Sequence, residues 1–230
     1  MRRTIILPLF FAIAVLELFS EITQNQYLTY ITKPLLMIIL STYFLISTAD
    51  SSNRFSRLLF LGLLFSIGGD TFLMFDGSLF FMFGLGCFLI THLFYIAAFF
   101  TFQSFSKKSI RQNTLLILIL IVYLFSLMSY LWDDLEGLKI PVAIYGTVIS
   151  TMAFAAANLR IGISKRTFII LFSGVLLFIL SDSIIALSKF KSEALVIPHR
   201  DLIVMTSYII AQYLIVSSAL NINKLGIKRD

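Results

Sequence analysis

The 230-residue chain contains one cysteine, two histidines and four prolines, and only 13% of its residues are charged. Each scarcity excludes something. The single thiol, Cys87, rules out an intramolecular disulfide, and its place in an apolar run reads as packing. Two histidines and one cysteine are too few for a zinc site built from several such ligands, so neither metal nor cofactor is expected. Soluble domains carry about twice this fraction of charge, which argues against a soluble globular fold. No stretch between the apolar runs is long enough for an extramembrane domain, so residues 1–230 read as a single unit. The net charge of +6 gives no reason to expect nucleic acid as a partner. Its meaning depends on where Lys and Arg fall relative to the membrane.

What the chain does have is hydrocarbon, with 59% of its residues hydrophobic. Apolar windows of about 17–23 residues recur along it, each long enough to cross a bilayer. The spans are expected at 4–20, 34–50, 57–75, 78–102, 113–131, 140–158, 167–189 and 201–220. The fold class is therefore an all-α membrane protein, a bundle of eight transmembrane helices. Met1-Arg2-Arg3 followed by "TIILPLFFAIAVLELFS" imitates a secretory signal, and Ala12-Ile13-Ala14 has the small-x-small form of a cleavage site. Apolar residues continue past it, so a retained first span is expected. Pro8, Pro34, Pro141 and Pro198 are expected near span ends or in a loop.

Lys and Arg sort unequally between the two sets of connections. One set holds 13, including Arg2, Arg3, Lys107, Lys228 and Arg229; the other holds 5: Lys33, Lys139, Lys189, Lys191 and Arg200. The positive-inside bias puts both termini in the cytoplasm and the five-residue set outside. "FSIGGDTFL" in span three and "FILSDSIIA" in span seven echo one another, each with Asp after a small residue. A parallel repeat of four plus four spans gives these two segments matching positions.

Ionisable residues within a span are costly, face the bundle interior and mark candidate sites. With about 1.5 Å of rise per residue, Asp70 and Tyr145 fall roughly 8 Å below the outer interface, Asp182 about 8–10 Å and Tyr208 about 10 Å. Four spans thus bring polar groups to one layer. Glu17 and Lys33 come out shallower, near the outer head groups. His92 comes out deeper, roughly 20 Å down. His92 and Tyr95 share a helix face at i, i+3, as Tyr208 and Gln212 do at i, i+4. Hydrogen bonding between helices is the plain alternative for His92, Tyr95 and Gln212. Asp76, Asp133, Asp134 and Glu136 fall in outer loops and read as solvated turn residues.

Two acids at one depth, with no basic residue at their level, suit acid–base chemistry, one giving a proton while the other takes one. Glycoside hydrolysis uses such a pair through an oxocarbenium-like state. A protonated enol ether breaks down through the same type of cation, and the glycerol-linked bonds of a lipid lie at the depth of this layer. A small proton-coupled transporter or lipid-handling protein is the alternative, since intramembrane acids also carry protons.

"SIGGDTFLM", "FGLGCFLITHLFYIAAF", "PVAIYGTVISTM", "FILSDSIIALSKF" and "YIIAQYLI", with "TKPLLM" before them, resemble the successive signatures of the YhhN family of integral membrane proteins. The resemblance covers about residues 30 to 218. It implies eight helices and hydrolysis of the vinyl ether bond of lysoplasmalogens, the activity of the family's animal members, giving a fatty aldehyde and a glycerophospho-amine. It also implies that Asp70 and Asp182 are the catalytic pair, with Lys33, His92, Tyr145, Tyr208 and Gln212 in binding or supporting positions. The expected partners are a lysophospholipid substrate and the bilayer itself.

Overall fold

A backbone surrounded by lipid must satisfy its own N–H and C=O groups, and unbroken apolar runs therefore fold as helices. The computed structural model describes residues 2–103, 107–191 and 195–226. Its helices are α1 (Arg2–Thr23), α2 (Gln26–Thr48), α3 (Arg54–Leu73), α4 (Ser78–Phe102), α5 (Lys107–Gln112), α6 (Thr114–Leu131), α7 (Lys139–Asn158), α8 (Lys165–Phe190) and α9 (Arg200–Gly226). Eight of these are long and apolar enough to span a membrane. The exception, α5, is a six-residue helix that the hydropathy pattern does not signal.

Side-chain caps fix several starts. Asn53 accepts from the Ser56 N–H at 2.9 Å while Ser56 Oγ accepts from the Asn53 N–H at 3.0 Å, closing a capping box on α3. Ser164 caps α8 by accepting from the Thr167 N–H at 3.2 Å. The largest boundary difference is in the second span, expected from residue 34 because Pro34 reads as a start signal. Instead Asn25 caps α2 by accepting from the Leu28 N–H at 3.2 Å, and Pro34 lies inside the helix. Pro8 is likewise inside α1. An internal proline removes one backbone bond, and transmembrane helices tolerate it because neighbouring groups satisfy the freed carbonyl.

The helix ends sort into two faces. At one, Asn223 near the end of α9 donates to the Ser51 carbonyl at 3.0 Å, and Asn158 at the end of α7 donates to the Gln103 carbonyl at 3.3 Å. At the other, Lys191 pairs with Asp134, and Tyr30 stacks on Phe75 at 5.8 Å. The hydrogen-bonded Asp134 carboxylate raises the Lys191 ammonium above its ordinary pKa. Among the described residues, one in each connection on this second face has left-handed φ: Gln24, Gly77, Glu136 and His199.

The most extensive helix contacts are α3 with α4 and α8 with α9, and these two pairs repeat one another. Gly62 precedes Asp70 by the same eight positions that separate Gly174 from Asp182. A Cβ on Gly62 would meet the Tyr95 ring at 2.5 Å and the Thr91 carbonyl at 3.2 Å. One on Gly174 would meet the Ala211 carbonyl at 3.0 Å and Ile215 at 3.2 Å. Thr91 and Tyr95 on α4 thus stand to α3 as Ala211 and Ile215 on α9 stand to α8. The short echo around the two aspartates extends over two packed helix pairs.

The side chains of Arg2, Arg3 and Lys107, and the whole of Lys228 and Arg229, lie outside the described residues, although all five enter the count of basic residues on the first face. The sidedness implied by that count is open to direct test. In a Cys87→Ala background, a cysteine at exposed Asp133 should react with an impermeant thiol reagent in intact cells, and one at exposed Lys165 should not. The reverse labelling pattern would invert the orientation.

Candidate active site

Both aspartates turn toward the bundle interior, and each meets a tyrosine from another helix. Asp182 on α8 accepts from the Tyr145 hydroxyl of α7 at 2.6 Å. His92 on α4 places Nε2 3.3 Å from the same carboxylate oxygen and 3.0 Å from Tyr145 Oη. Because the Tyr145 proton goes to Asp182, Nε2 serves these oxygens as an N–H donor; this tautomer is inferred from the contacts. His92 is fully buried, and its Nδ1 has no hydrogen-bond partner.

Asp70 on α3 accepts from the Tyr208 hydroxyl of α9 at 2.8 Å. The chain of contacts runs on: Gln212 donates to Ser66 Oγ at 3.0 Å and reaches Tyr208 Oη at 3.4 Å, and Tyr95 donates to Gln212 Oε1 at 2.8 Å. Tyr95 and Gln212 therefore bond α4 to α9, a use that needs no catalytic role.

An aromatic partition stands between the two networks. Phe178 meets His92 edge-on at 4.8 Å and Tyr208 at 5.5 Å, and Phe88 meets Phe178 at 6.1 Å and Tyr208 at 5.7 Å. Access differs on its two sides. Asp182, Tyr145 and Phe88 line a narrow cavity of about 40 Å³ that is otherwise apolar. By volume it has room for a water molecule. The Asp182 side chain is 11% exposed, whereas Asp70 is only 2% exposed and is not on that wall. Asp182 faces the opening; Asp70 does not line it, and Phe88, which does, packs on the Tyr208 ring that bonds Asp70.

The contact between His92 and Asp182 corrects the depth expected for His92. Counting along the helix put it well below the aspartates, on the assumption that all spans end in one plane. The ends are staggered: Asp70 lies three residues before the end of α3, Asp182 eight before the end of α8, and His92 fourteen after the start of α4. Glu17 is fully buried; Thr32 and Ser20 donate to its Oε2, and Oε1 has no partner. Lys33 bonds neither aspartate and lies at a mouth on the second face.

That mouth is a cavity of about 390 Å³ walled by Lys33, Asp76, Lys189, Arg200 and Asp201, among others. It shares Leu73, Phe81 and Ile185 with the Asp182 cavity below. Sequence reasoning did not single out Ser66, Phe88, Phe178, Lys189 or Arg200. A signal existed for two of them, because Ser66 and Phe178 lie four residues before Asp70 and Asp182 and share their helix faces. Among the described residues, no group of three or more His, Cys, Asp or Glu side chains is arranged to hold a metal ion.

The chain resembles several curated proteins. It is 34% identical over 165 residues to lysoplasmalogenase TMEM86A of Homo sapiens, covering 70% of this chain and 64% of the relative. It is 34% identical over 172 residues to lysoplasmalogenase TMEM86B of Homo sapiens, covering 74% and 66%. A lysoplasmalogenase of Mycobacterium bovis is 29% identical over 201 residues, covering 85% of this chain and 72% of the relative. The chain thus spans about 64% of the length of the TMEM86A relatives it matches. No solved structure matches it. The YhhN family pattern, by contrast, matches residues 28–219, most of the chain and both aspartate-bearing helix pairs, and the chain belongs to the YhhN family.

Proposed function

We propose that this protein is a membrane hydrolase that cleaves the vinyl ether bond of a lysoplasmalogen-type lysolipid, releasing a fatty aldehyde and a glycerophospho-amine. The observation that carries the reading is Asp182, an acid held by Tyr145 and His92 at the wall of a cavity below a polar mouth. Relatives named lysoplasmalogenase support the same chemistry. The membrane is the cytoplasmic membrane, with the site toward its outer leaflet, as the distribution of Lys and Arg suggests.

The step is balanced by one water. A carboxylic acid proton goes to the alkene carbon remote from the ether oxygen, leaving an oxocarbenium ion. Water attacks the cationic carbon and gives up a proton to a carboxylate. The hemiacetal then breaks its bond to the glycerol oxygen, which takes a proton, and the other fragment leaves as aldehyde. Asp182 acts at the reacting bond. Asp70, anchored by Tyr208, is the second acid of the pair; it does not line the cavity, and Phe88, which does, packs on the Tyr208 ring. His92 and Tyr145 hold the Asp182 carboxylate in place.

Detergent-purified protein should release aldehyde from a lysoplasmalogen and none from matched alkyl-ether or acyl lysolipids. Aldehyde from none of the three would refute the reading. Proton-coupled transport is the second reading, favoured by the repeat of α3–α4 in α8–α9, since internal repeats are common in transporters. It predicts proton flux in reconstituted vesicles without lipid cleavage. Tyr145→Phe removes the short hydrogen bond to Asp182 while leaving the ring. It should lower kcat about tenfold, the value of one hydrogen bond to a charged group, with KM little changed. A change in KM alone would make Tyr145 a binding group.

A further inference from the structure

Three cations from three helices line the mouth on the second face: Lys33 of α2, Lys189 of α8 and Arg200 of α9. Arg200 is held by its neighbour Asp201 at 2.8 Å. Lys33 and Lys189 make no ion pair among the described residues; Lys189 Nζ lies 5.2 Å over the Phe81 ring instead. Two carboxylates, Asp76 and Asp201, stand on the same wall; Arg200 takes Asp201 and neither lysine pairs with Asp76, so the three cations leave a net positive wall that an anion would offset.

The geometry beneath this wall gives the anion an address. Phe81, Leu73 and Ile185 belong to both cavities, so they form the floor of the mouth and the roof of the Asp182 cavity. On α8, Asp182, Ile185 and Lys189 follow at i, i+3 and i+7 and share one face. Seven residues place Lys189 about 10 Å along the helix from Asp182. A lysine side chain bends back over part of that distance, and one glycerol unit bridges the remainder in a lysolipid.

We propose that this mouth is a phosphate-binding head-group subsite. Lys33, Lys189 and Arg200 hold the phosphate of a lysophospholipid so that its first glycerol-linked bond reaches Asp182. The subsite rests on the lysolipid reading above and adds the part of the substrate that sets register. Arg200 supplies planar donors suited to phosphate oxygens, and the two lysines supply point charges. A lipid without phosphate has the same tail and bond but no anchor.

The test is equilibrium binding to the full chain in detergent, using ligands that cannot be cleaved. A 1-alkyl lysophosphatidylethanolamine should bind about a hundredfold more tightly than the matching 1-alkylglycerol, as expected of several charge-assisted contacts. Soluble glycerophosphoethanolamine, a head without a tail, should not compete at the lipid's concentration. In Lys33→Gln/Lys189→Gln the preference for the phosphate ligand should fall to a few-fold or less, and Lys33→Arg/Lys189→Arg should restore it. Lys165→Gln, at the opposite end of α8, should leave it intact. Equal binding of the two alkyl ligands would overturn the proposal, as would a preference that survives both Gln changes. Competition by the soluble head group at lipid-like affinity would also overturn it, making the mouth a free phosphoester site. Since nothing is cleaved, this result stands apart from whether the protein hydrolyses vinyl ethers.

Discussion

Asp182→Asn is expected to lower kcat by about a hundredfold to ten-thousandfold, the range of general acid–base assistance. That corresponds to about 3–5 kcal/mol of lost transition-state stabilisation. The substitution keeps size and polarity, and the amide oxygen still accepts from Tyr145 and His92, so the three-helix contact survives. What disappears is the group that gives or takes a proton at the cavity wall. KM should stay within a few-fold, because the tail and head-group contacts lie elsewhere on the protein. The melting temperature in detergent should move little, which separates a chemical defect from a folding one. An Asn variant with full turnover would remove Asp182 from the mechanism.

Asp70→Asn should cost a comparable factor, and the double variant little more than either single change. Groups that act as one unit lose their joint effect when either is removed. The wild-type pH profile should be bell-shaped, with limbs belonging to the coupled pair, and each single variant should lose one limb. Two losses that multiply in the double variant would show independent roles. A fully active Asp70→Asn would instead make the Asp70–Tyr208 contact a packing device between α3 and α9. Asp70 does not line the Asp182 cavity, which gives that outcome a physical basis, so this variant discriminates sharply.

The number of spans is legible in the sequence because lipid tolerates few backbone solutions, and hydropathy records that constraint directly. Helical rise converts position into depth, and by that count Asp70 and Tyr208 come out close to one another, as do Asp182 and Tyr145. In the structure Asp70 bonds Tyr208 and Asp182 bonds Tyr145. His92 escapes the same arithmetic because α4 enters the bundle from a different height. The burial of Glu17 between α1 and α2 is not legible, since depth by count carries no information about packing. Phe88 leaves no trace because aromatic side chains are abundant in these apolar runs. Lys189 and Arg200 read as loop charges until the turns at Gly77 and His199 fold them over one mouth.

Hydrolysis of a vinyl-ether lysolipid in heavy water tests the central claim most directly. Protonation of the alkene carbon puts solvent hydrogen on the carbon next to the new carbonyl. If the protein acts as proposed, the aldehyde, reduced as it forms to prevent exchange, should carry one deuterium at that carbon. Authentic aldehyde treated alongside should carry none, and Asp182→Asn should give almost no labelled product. Unlabelled aldehyde from the wild-type protein, or cleavage that yields no aldehyde, would contradict acid-catalysed opening of a vinyl ether at Asp182.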